Sequence, residues 1–79
     1  MKRYNPNDYY YNIVRRNIRR FRKERRYTQQ KLAELTDLST DYISEIESLK
    51  KNKSFSLMTL GRIADVLCVD ITDFFKKPK

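Results

Sequence analysis

The sequence predicts a compact all-α domain of five helices, two of which form a helix-turn-helix. Three observations carry this. Apolar residues recur at three- and four-residue steps, and no segment alternates as a half-buried strand would. Two short amphipathic stretches flank Thr36-Asp37-Leu38, a connection that forces them to cross steeply. The 79 residues, 39% hydrophobic and 35% charged, supply one small core and no second one.

The first helix opens at Asn5-Pro6 or Asn7-Asp8 and runs to about residue 25, with Val14, Ile18, Phe21 and Arg22 on its inner face. Arg15, Arg16, Arg19, Arg20, Lys23 and Arg26 are then expected mostly outside the core. The second helix covers about 28–35, with Thr28 as N-cap and Leu32, Ala33 and Leu35 as its apolar face. Leu38 tucks under the corner. The third covers about 39–48, capped by Ser39, and buries Tyr42, Ile43 and Ile46. After a basic loop at 49–55, Ser56 caps a fourth helix whose Leu57, Leu60, Ile63, Ala64 and Leu67 face the core. Asp70, with Asp73 three residues on, resembles a capping arrangement for a short fifth helix through Phe75. The tail 76–79 is expected to be loose.

Composition removes most chemistry. With no histidine, a metal site would need carboxylates alone, and Gly61, the one glycine, cannot make a phosphate loop. Asp41 and Glu45, one turn apart, have no neighbours that would tune a catalytic carboxyl. No catalytic residue, metal, cofactor or small-molecule ligand is expected, and the chain does not read as an enzyme. No apolar run is long enough for a membrane span or a secretory leader, so a cytoplasmic protein is expected. The lone Cys68 fits a reducing compartment and reads as a small buried apolar group.

Charge is uneven. Residues 1–27 carry ten basic and two acidic side chains, a net of +8, whereas residues 28–79 carry eight of each. Such a balance favours a polyanion, and the helix-turn-helix makes duplex DNA the expected partner. The third helix complicates this, because residues 32–49 hold five acids and no base. Phosphate contacts are therefore assigned to helix N-termini and their flanks: Thr28, Gln29, Lys31, Ser39, Lys50, Lys51 and Lys53. Base reading falls to Thr40, Asp41, Ser44 and Glu45, which point outward when Tyr42, Ile43 and Ile46 point in. Carboxylates there would accept from cytosine N4, although Asp41 also gains simply from the helix dipole.

Adjacent Phe74 and Phe75 cannot both enter one small core. One is expected to meet a second copy of the chain, with Cys68 alongside, in a homodimer. Tyr9, Tyr10 and Tyr11 cannot all face inward either, and packing on the bundle is the first expectation for them.

An ordered set of residues is more specific than any of these features. It comprises Ile18, Phe21 and Arg22, then Thr28-Gln29, Leu32-Ala33, Tyr42-Ile43-Ser44 and Ile46-Glu47, and finally Leu60, Ile63-Ala64, Leu67 and Val69-Asp70. Over roughly 13–75 the chain resembles the small helix-turn-helix repressors of the Xre family, which includes the phage Cro and lambda-type repressors. The resemblance implies a lambda-repressor-like fold and a transcriptional regulator, a repressor by preference, binding a palindromic operator as a dimer through the third helix in the major groove. It also implies a structural ion pair between Arg22 and Glu47, whose positions resemble a paired Arg and Glu of the family. The family often has Gly where this chain has Asp37, a modest backbone strain. The expected organisation is a basic, tyrosine-rich arm and helix start at 1–12, the DNA-binding domain at 13–75 and a basic tail at 76–79. A controller protein of a restriction–modification system fits the same resemblance. From another class, a protein-interaction module that keeps the fold without reading DNA would suit the acidic helix, and an RNA-binding role is weaker still.

Overall fold

The computed structural model describes residues 6–51 and 53–77. Four α-helices follow in order, α1 Pro6–Glu24, α2 Gln29–Thr36, α3 Thr40–Glu47 and α4 Leu57–Leu67, and a 3-10 turn Ile71–Phe75 closes the chain. Among the described residues there is no strand, so the fold is all-α. The fifth helix exists as a single 3-10 segment.

The starts of α2, α3, α4 and the 3-10 turn each have a chemical cause. Thr28, Ser39 and Ser56 accept from the backbone N–H groups of Lys31, Tyr42 and Thr59 at 2.9–3.0 Å, satisfying donors that the first helical turn leaves over. Asp70 accepts from the Thr72 N–H, and Asp73 accepts from the Asp70 N–H at 3.1 Å, a reciprocal capping box. The Thr72 backbone N–H, helped by the Thr72 hydroxyl, holds the Asp70 carboxyl below its ordinary range. The Lys76 ammonium, 2.8 Å from Asp73, lowers that carboxyl likewise.

The ends of α1, α2 and α4 share one device. Arg26, Asp37 and Cys68 adopt left-handed backbone, with φ of 60°, 60° and 58°. In each case the next residue's N–H reaches back five positions, Tyr27 to Arg22, Leu38 to Ala33 and Val69 to Ala64. These are Schellman ends, and the three residues that follow, Tyr27, Leu38 and Val69, pack on the core.

That core gathers Ile18, Leu32, Ile43, Ile46, Ile63 and Leu67, each fully buried, under Phe74. Phe74 is also fully buried, its ring 5.9 Å from Phe21. The Asn17 side chain, 1% exposed, donates to the carbonyls of Phe74 at 2.7 Å and Lys76 at 2.8 Å, stitching the terminal turn to α1. Residues 76 and 77 are accordingly not loose: Lys76 pairs with Asp73, and the Lys77 ammonium lies 5.5 Å over the Tyr9 ring. Residues 1–5, 78 and 79 lie outside the described residues.

Four sequence expectations are corrected. Leu35 is 43% exposed because Thr36 takes the inner position, its hydroxyl donating to the Leu32 carbonyl at 2.7 Å. Leu57, one turn ahead of the buried stripe of α4, is 71% exposed. Cys68 is exposed, since it is the left-handed cap of α4 and lies past its packed face. Arg15, expected in solvent, is 2% exposed. It donates to the Ile46 carbonyl at 2.9 Å, and its guanidinium lies 5.6 and 5.5 Å from the rings of Tyr11 and Phe55, which meet edge to face at 4.9 Å. A guanidinium survives there because it satisfies a carbonyl that the end of α3 leaves over and stacks on two aromatic faces.

Candidate nucleic-acid interface

The corner between α2 and α3 is set by Asp37, whose left-handed backbone ends α2, and by half-buried Leu38 beneath it. α3 then buries Ile43, Ile46 and Glu47, and this register fixes what it shows outside. Thr40, Asp41 and Ser44 are exposed, and Glu45 is half-buried at the edge of the same face. Asp41 sits in the first turn, where a carboxylate meets the positive end of the helix.

Charged groups lock α3 against α1. The Arg22 guanidinium forks onto Glu47, Nε donating to Oε2 at 2.7 Å and Nη2 to Oε1 at 2.9 Å, and a third donor reaches the Tyr27 carbonyl at 2.8 Å. Gln29 donates to the same Glu47 Oε1 at 3.0 Å, so its amide is tied to the base of α3. With both partners of the pair nearly out of solvent, the arrangement is a bidentate, charge-assisted link of high geometric demand.

The remaining candidates lie around this frame. Thr28 and Ser39 spend an oxygen lone pair on capping, and each hydroxyl keeps a proton to donate. Lys31, Lys50 and Lys51 are exposed. Lys53 is placed differently, its ammonium 3.6 Å from Glu45 Oε1 and 5.8 Å over the Tyr42 ring. A cation from the loop thus partners one carboxylate on the outer face of α3, which softens the acidity that the sequence suggests.

Of the three residues grouped as a dimer surface, Phe74 is buried, and Phe75 and Cys68 are exposed at opposite ends of α4. Phe74 is spent inside the protomer's own core, because only one of two adjacent aromatics can turn inward and Asn17 fixes which. Phe75 is 49% exposed and borders a groove with Leu57 and Leu60, near the start of α4. Cys68 caps the other end of that helix, beside Phe21 and Arg25. Sequence reasoning also missed Arg15, which clamps the end of α3. The signal was present, since Arg15 precedes Arg22 by seven residues and therefore shares its helix face.

A capped helix-turn-helix with a buried ion lock behind its second helix and a polar outer face defines a DNA-binding domain of the helix-turn-helix class. The chain belongs to the HTH_3 helix-turn-helix family, whose model matches residues 18–74, the Xre-like group of DNA-binding transcriptional regulators and not an enzyme family. Among solved structures it is similar to the hypothetical transcription factor NHTF from Neisseria, with a TM-score of 0.81 and 22% identity over 99% of this chain and 87% of that one. It is also similar to an HTH_3 family transcriptional regulator from Vibrio cholerae, with a TM-score of 0.78 and 25% identity. That match covers 87% of this chain and 38% of the larger Vibrio protein. No curated protein matches the sequence.

Proposed function

We propose that this regulator is a repressor that binds a palindromic operator as a two-fold dimer, with α3 in the major groove. The observation that carries the reading is the register of α3: locked from behind by Arg22 and Arg15, it presents Thr40, Asp41 and Ser44 to the outside, with Glu45 at their edge. Those four side chains read bases, and Thr28, Gln29, Lys31, Ser39, Lys50, Lys51 and Lys53 position the backbone. The pairing of Lys53 with Glu45 favours DNA over a basic protein as the partner of this face.

Selection of duplexes from a random pool, followed by sequencing, tests the proposal. A two-fold-symmetric consensus is expected, with half-site centres about 10 base pairs apart, and cytosines at positions facing Asp41 or Glu45. Failure to enrich any sequence would remove operator reading from this fold.

Of the residues assigned to the dimer from sequence, Phe75 remains available, and the dimer is drawn around it. Phe75, Leu57, Met58 and Tyr10 are all exposed, and all but Met58 line one groove with Tyr11 and Phe55. Exposed aromatics and aliphatics gathered in this way suit a self-complementary contact. Phe75→Glu is expected to shift sedimentation towards monomer and to weaken binding of the full palindrome more than of a half-site. A wild-type chain that stays monomeric at high micromolar concentration, with and without DNA, would sink the dimer.

A further inference from the structure

A second basic surface adjoins α3, contributed by α1. Arg16 and Arg19 are exposed on α1, and they line an open groove whose other walls are Gln29, Ser44, Ser48 and Lys50. The acid at its base, Glu47, is already neutralised by Arg22 and bonded by Gln29. No carboxylate among the described residues pairs with Arg16, Arg19 or Lys50, in contrast to Arg20, which is bridged to Glu24 at 3.1 Å. Three cations therefore converge on a channel of about 510 Å³ whose wall includes Ser44, one of the outward residues of α3. The Ser44 and Ser48 hydroxyls, the Gln29 amide and the apolar side chain of Leu49 complete the lining, and the channel is open to solvent.

We infer that this groove seats the DNA sugar–phosphate backbone alongside α3, with Arg16 and Arg19 as phosphate ligands. The inference rests on the DNA-binding reading and deepens it. A phosphodiester is the chemistry the groove suits: planar guanidinium forks match phosphate oxygens bidentately, and Ser48 and Gln29 can donate between them. It also explains how the acid-rich α3 can approach a polyanion. The positive charge is held one element back, on α1, and reaches the backbone from the side while α3 faces the bases. These contacts carry no sequence information, so they set affinity and salt dependence without setting base choice.

The test uses the full chain and a random-sequence 24-base-pair duplex, with affinity measured across salt concentrations. Removing two phosphate contacts with Arg16→Ala and Arg19→Ala should flatten the log–log salt slope by about 1.8 units, at 0.9 per contact. Arg16→Lys with Arg19→Lys should restore most of the slope, because the charges return. Arg20→Ala with Lys23→Ala removes the same net charge from another part of α1 and should change the slope by less than half as much. Thermal melts of all four proteins confirm that these exposed positions leave the fold intact. An unchanged slope in the Arg16/Arg19 variant, or an equal fall in the Arg20/Lys23 variant, overturns the groove while DNA binding stands. A wild-type chain that binds neither this duplex nor any selected one overturns both readings together.

Discussion

Arg22→Ala is expected to lower the stability of the domain by about 3 kcal/mol, a fall in Tm on the order of 15 °C. The loss comes from what remains. Glu47 is 5% exposed and would keep only the Gln29 amide as a partner, while the Tyr27 carbonyl at the end of α1 would lose its guanidinium donor. Replacing both members with apolar residues, Arg22→Met with Glu47→Leu, should recover much of the loss, because neither charge then has to be desolvated. Additive losses in a thermal or urea double-mutant cycle would show that the two side chains do not interact in solution. DNA affinity should fall further than stability alone explains, since α3 is held in register by this pair and by Arg15.

Phe74→Ala is the other large effect, about 3–5 kcal/mol in urea denaturation, because a fully buried ring is replaced by a cavity under Phe21 and the core. Its neighbour supplies the contrast. Phe75→Ala should change the stability of the monomer by less than about 0.5 kcal/mol, as it removes a half-exposed ring from the rim of a groove. Equal losses at the two positions would mean that the terminal turn does not hold the orientation that Asn17 imposes.

Much of the fold was legible because local rules and burial agree. The caps at Thr28, Ser39, Ser56 and Asp70 follow from short polar side chains placed just before apolar periodicity, and α3 needs only its Ile43 and Ile46 spacing to set its outer face. Most of the failures originate in tertiary contacts. Arg15 looks like any solvated arginine until Tyr11, Phe55 and the Ile46 carbonyl surround it, and these come from three separate segments. Asn17 gives no local sign that it will hold carbonyls 57 and 59 residues away. Which of Phe74 and Phe75 turns inward depends on that same bond. Leu35 yields its place to Thr36 because a threonine hydroxyl can return its proton to the preceding turn and leave its methyl inside. The basic groove was half visible: a run of arginines on α1 was evident in the sequence, but its apposition to Lys50 and Ser44 required the packing of α1 on α3.

The three Schellman ends bear on how long the protein survives in a cell. Arg26, Asp37 and Cys68 each hold a left-handed backbone that glycine would adopt without strain, at a cost of about 1 kcal/mol apiece. The chain's single glycine, Gly61, stands instead inside α4, where an added Cβ would meet nothing within 4 Å. Set against the 4–12 kcal/mol, roughly, that a domain of this length commands, those choices leave a thin margin. A protein with a thin margin opens often enough for proteases to remove it, and a difference of about 1–2 kcal/mol changes its steady-state level several-fold. Abundance would then follow synthesis closely. Arg26 and Cys68, the two of these ends that lie outside the helix-turn-helix, are where that lifetime can drift without disturbing the corner that Asp37 sets ahead of α3.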